Sequence, residues 1–133
     1  EEGRSFDVLR ALPAILLLGL CGCLSTGPER PPMGSGTYPF QWKDAEFPNG
    51  PGFPVRVSIS GQRIVVTNEH ARGEIPVGDL HEGVLLRHAA SARWIISRDS
   101  ADATAESVGG CGDADPFVVD FEARVIWTCL WGP

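Results

Sequence analysis

The chain has 133 residues, 43% of them hydrophobic, with 11 basic and 17 acidic side chains, so it carries a formal charge of −6 at neutral pH. That length fits one ordinary domain, and the acidic balance disfavours nucleic acid, whose binding rests on a basic footprint. Over residues 37–133, Lys43 and seven arginines face thirteen acids, a net of −5, which also weighs against the domain itself lying on anionic lipid.

In chain order, the first feature is the apolar stretch Ala14-Ile15-Leu16-Leu17-Leu18-Gly19-Leu20, preceded by Arg4 and Arg10 and broken at Pro13. A membrane-spanning helix needs about 20 apolar residues, so this stretch is too short to span. It matches the apolar centre of an export signal. Directly behind it stands Leu20-Cys21-Gly22-Cys23. The run resembles the lipobox of bacterial lipoproteins, with a branched apolar residue three before the cysteine and a small residue just before it. The resemblance covers residues 4–23 and implies cleavage after Gly22 and lipidation of Cys23. Cys21 is a rival acceptor, but bulky Leu20 precedes it. Leu24 is not the aspartate of inner-membrane retention, so the resemblance implies a cell-envelope location, at the outer membrane where there is one. Initiation at Met33 would instead give a chain without signal or anchor.

Residues 1–22 are therefore expected as a signal peptide and residues 23–36 as a lipidated cysteine with a flexible tether, since Leu24 to Gly36 holds three prolines and three glycines and little to bury. Residues 37–133 are expected as a single β-rich domain, an antiparallel sandwich or small barrel of about six to eight strands with at most one short helix.

Tyr38, Phe40, Trp42, Phe47 and Phe53 lie among Pro39, Pro48 and Pro51, which predicts a flap over an open sheet edge or an exposed binding surface. Next, Val55, Val57 and Ile59 alternate with polar residues, and a β-branched run follows Gly61, so Pro54–Asn68 predicts a hairpin. Gly83–His88 and Arg93–Ser97 pair similarly. Asp79-Leu80-His81-Glu82 has the spacing of a helix capping box, but Gly83 and β-friendly neighbours count against a helix. A short helical turn capped by Asp99 or Ser100 is expected between Asp99 and Ser107. The last hairpin is Phe117–Phe121 with Arg124–Leu130, with Phe117, Val119 and Phe121 on one face and Val125, Trp127 and Cys129 on one face. If Cys129 faces inward with Trp127, a disulfide to Cys111 staples the glycine-rich loop over the end of the core.

In an exported chain, Cys111 and Cys129 predict a disulfide that stabilises the domain by about 3 kcal/mol. Two thiolates are too few for a structural zinc site.

Catalytic motifs are missing. His81-Glu82 lacks a second histidine four residues after the first, since Leu85 stands there, and no serine-hydrolase elbow, phosphate loop or dinucleotide fingerprint occurs. His70, His81 and His88 are of a type that could converge on a metal, but they are expected as solvated turn residues at strand ends. Asp99, Asp102, Glu106, Asp113 and Asp115 are expected as a solvated acidic loop lacking the order of a calcium loop. No catalytic residue, metal or cofactor is assigned. The candidate interaction residues are Tyr38, Trp42, Phe53 and Trp131. The leading expectation is a lipid-anchored envelope module with a structural or interaction role, held at the membrane by its lipid and facing an envelope protein partner, with no nucleic acid. A small-ligand or calcium-binding lipoprotein and an envelope hydrolase with an unrecognised site are the alternatives.

Overall fold

The computed structural model describes residues 29–111 and 116–132. The signal segment, Cys23, Asp113 and Asp115 lie outside the described residues. Seven strands form a closed barrel in sequential order: β1 Gly36–Asp44, β2 Phe53–Ser60, β3 Arg63–Asn68, β4 Gly78–Arg87, β5 Trp94–Ser97, β6 Phe117–Asp120 and β7 Val125–Thr128. Every neighbouring pair is antiparallel except the closing one, in which Gln41–Asp44 of β1 runs parallel to Val125–Thr128 of β7. The fold is thus the small β-barrel expected from the strand-rich pattern. Its one helical element among the described residues is the 3-10 turn Ser100–Thr104, capped by Asp99, whose side chain accepts the Ala101 N–H at 2.9 Å.

Period-two alternation puts one face of each strand inside. Phe40, Val55, Val57, Ile59, Ile64, Val66, Leu85, Trp94, Ile96, Phe117, Val119 and Ile126 fill the interior, each nearly or wholly removed from water. Phe117 sits centrally, edge-on to Trp42 at 5.4 Å and against the His81 ring at 4.4 Å. A second, outer cluster forms where the chain between β5 and β6 folds back on the barrel. There Ile95, Val108 and Val118 are buried with Leu86, Ala105, Trp127 and Leu130 packed around them.

This outer cluster decides which face of β7 turns inward. Val119 pairs with Ile126 and Val118 with Trp127, so Ile126 points inward and Trp127 outward. A barrel wall covered on both sides has apolar residues on both faces, and alternation then cannot tell in from out.

Most of the aromatic stretch at the start of the domain is strand rather than a flap. Tyr38, Phe40 and Trp42 alternate along β1, paired with Val57, Val55 and Phe53 of β2. Pro39 is tolerated because β7 pairs only from Gln41 onward, leaving residues 36–40 with a strand on one side alone.

Strand β4 begins at Gly78, five residues before the expected start at Gly83. The acids that imitate a capping box are cross-strand partners. Asp79 Oδ1 accepts the Thr67 hydroxyl at 2.8 Å, and Glu82 meets Arg63 at 2.7 Å. A bulge opposite Val66 and Thr67 takes up the extra residue Leu80, so His81 still faces inward.

Strand directions divide the loops between two poles. One pole holds the start of β1 and the β2–β3, β4–β5 and β6–β7 turns, and the other holds the β1–β2 and β3–β4 loops and the end of β7. Residues 29–35, part of the segment whose composition suggests a tether, dock at the first pole. Glu29 meets Arg87 at 3.3 Å, Ser35 Oγ accepts the Gly61 N–H at 3.0 Å, and Met33 packs against the core. That pole is called near and the opposite one far.

Candidate functional site

At the far pole, the β1–β2 connection arches over a cleft of about 400 Å³ lined by Trp42, Asp44, Phe47, Phe53, Thr128 and the backbone from Gly50 to Gly52, with Cys129 at its edge. Local chemistry shapes the arch. Asp44 Oδ1 accepts the Glu46 N–H at 2.9 Å, its carbonyl accepts the Phe47 N–H at 3.1 Å, and Ala45 N–H reaches the Thr128 carbonyl at 2.8 Å, tying the arch to β7. Gly52 brings the chain back into β2 with φ of +52°, and a Cβ there would lie 2.7 Å from the Trp42 carbonyl oxygen. Only glycine fits both the backbone and the space.

The walls are aromatic. Trp42 and Phe53 stack at 6.1 Å with 27° between their planes, both half-buried, and Trp42 is braced from below by Phe117. Phe47, by contrast, is 68% exposed. The chain's one lysine, Lys43, does not enter this space, because its Nζ lies 5.4 Å above the Trp127 ring.

Cys111 and Cys129 form the expected disulfide, which fastens the chain before β6 to the end of β7. The Glu46 carboxylate and the two sulfurs lie within 4.8 Å of one another, the one such grouping of metal-ligating atoms among the described residues. With the sulfurs bonded together, one carboxylate is left to face a cation there.

Of the four candidate interaction residues, the fold brings two together. Trp42 and Phe53 share the cleft. Tyr38 stands towards the near pole, half-buried, with its hydroxyl donating to the Gly34 carbonyl at 2.9 Å. Trp131 is 64% exposed, laid across Gly109 and outside the cleft lining. Asp44 and Phe47 were not singled out as site residues. A lone aromatic in a proline-glycine loop between strands is the signal that points to Phe47.

The histidines are a correction, because two of the three are buried rather than solvated. His88 is completely buried, and its Nε2–H donates to the Ala105 carbonyl at 2.8 Å while Nδ1 accepts the Ser91 hydroxyl at 2.7 Å. It fastens the segment after the 3-10 turn to the β4–β5 turn. His81 lies inside the barrel, and exposed His70 sits in the β3–β4 loop, so the three do not converge. Asp99 caps the 3-10 turn, and Asp102 accepts the hydroxyl of buried Ser97. These acids hold a turn in place. No histidine lines the far-pole cleft. Comparison with protein-family models, with curated proteins and with solved structures gives no significant match.

Proposed function

We propose that this protein is a lipid-anchored module of the bacterial envelope that engages a partner through the cleft at its far pole. The observation that carries the reading is the docking of residues 29–35 at the pole opposite the cleft. Six residue steps separate Cys23 from Glu29, so a lipid on Cys23 would hold the near pole within about 20 Å of the bilayer. Strand β1, nine residues long, runs about 30 Å from the docked end towards the cleft. The cleft then opens away from the lipid, with its aromatic walls presented to the envelope space.

A disulfide supports the same compartment, since such bonds persist where the surroundings are oxidising. Aromatic clefts of a few hundred Å³ with a single well-placed carboxylate are of the size and chemistry that proteins use for recognition. The test is the intact mass of the protein extracted in detergent from its native membrane, before and after reduction and alkylation. A mass beginning at Cys23 with acyl groups, and two thiols appearing only on reduction, is expected. A mass without acyl groups would overturn the anchor.

A further inference from the structure

We propose that the far-pole cleft accepts a cationic side chain, arginine or lysine, displayed by a basic segment of the partner protein. The inference deepens the binding reading above and rests on it. Its basis is the pairing of aromatic walls with an available carboxylate. Trp42, Phe53 and Phe47 surround the opening, and a cation over an aromatic face is attracted by the ring quadrupole. Asp44 adds a charge at the same opening. Its Oδ1 holds the Glu46 N–H, and no cation pairs with it among the described residues. Glu46 follows on the arch, so a second carboxylate lies close by.

The charge distribution selects the same occupant. At the opening itself, Asp44 and Glu46 face one nearby cation, Lys43, whose Nζ is turned away over the Trp127 ring. A basic segment is drawn to this acidic opening. A single exposed phenylalanine needs no explanation by itself. Phe47 differs in standing beside Trp42, Phe53 and Asp44 around one opening, where it would close over the aliphatic stem of an inserted arginine.

The test titrates the full chain with a capped penta-arginine peptide, a capped penta-glutamate peptide and N-acetyl-argininamide, followed by NMR and calorimetry at low and high salt. Penta-arginine is expected to bind saturably, to shift the Trp42 indole and Phe53 signals, and to weaken as salt rises. Asp44→Asn keeps the acceptor for the Glu46 N–H but removes the charge, and a loss of about tenfold is expected. Phe47→Ala, at an exposed position, is expected to lose about two- to fivefold. Arg93→Ala at the near pole should change binding by less than about twofold. Equal binding of penta-arginine by Asp44→Asn, Phe47→Ala and the unaltered chain would overturn the assignment, as would shifts scattered over the surface. Argininamide binding as tightly as the peptide would overturn the polypeptide occupant in favour of a small organic cation. A failed titration on protein whose mass shows the acylated Cys23 removes this inference alone, while an unacylated mass removes the anchor and leaves the titration standing.

Discussion

Replacing both Cys111 and Cys129 by alanine tests how much of this small barrel depends on its cross-link. The bond closes a loop of sequence separation 18 that contains the whole β6–β7 hairpin. In the chain-entropy treatment, closing such a loop removes about 11 cal/mol/K from the unfolded chain, so its loss costs about 3 kcal/mol at 25 °C. The native barrel should survive the change. Cys129 N–H still reaches the Gly110 carbonyl at 2.6 Å, and Val108 and Gly132 still exchange backbone bonds at 3.0 and 3.3 Å. Alanine at 129 inherits the left-handed φ of +57° that cysteine already occupies there, so backbone strain cancels between the two chains. Urea unfolding followed by tryptophan fluorescence measures the difference, and a total stability of about 5 to 15 kcal/mol makes a 3 kcal/mol loss visible as a clear fall in midpoint. A loss below about 1 kcal/mol would refute the reasoning, because the unfolded chain would then already keep the hairpin closed.

His88→Ala should cost about 2 to 4 kcal/mol in the same assay, since it opens a cavity at a fully buried site and leaves the Ala105 carbonyl and the Ser91 hydroxyl without their partner. A loss within about 0.5 kcal/mol would contradict the structural role given to that ring. Gly52→Ala should cost about 1 to 3 kcal/mol and weaken penta-arginine binding together with stability, because the new methyl group meets the Trp42 carbonyl and displaces the arch; unchanged binding would show that the arch does not shape the cleft. Glu29→Ala should change stability by less than about 1 kcal/mol, as expected of an exposed pair with Arg87, whereas Met33→Ala, which removes packing from the core, should cost more. The reverse ranking in urea melts would mean that charge, not packing, docks residues 29–35.

Much of the barrel was legible because several strands bury one face only. Val55, Val57 and Ile59 alternate cleanly, and Gly61 marks the turn into β3, so that hairpin follows from period and turn chemistry alone. The Phe117–Asp120 and Val125–Thr128 hairpin was legible too, but not its orientation, since Trp127 has an outer cluster to pack against and Ile126 an inner one. Strand β1 was hidden by Pro39, whose effect depends on whether a strand lies on both sides, which is a tertiary fact. His88 was hidden for a similar reason, because its Ala105 partner stands 17 residues away and reaches it only when the chain folds back over β5. In the cleft, the aromatics Trp42 and Phe53 were visible as residues of interest. Asp44 was not, because its meaning comes from standing at the mouth of a space that three chain segments enclose.

The central claim is that the near pole faces the bilayer and the cleft faces away from it, and an orientation measurement on the lipidated protein in vesicles tests it most directly. Single cysteines replacing Arg93, beside the β4–β5 turn, and Phe47, on the arch, carry a fluorophore in two separate preparations. Spin-labelled lipid headgroups act as the short-range quencher. The account predicts strong quenching at position 93 and little at position 47. Equal quenching at the two positions, or stronger quenching at 47, would contradict it.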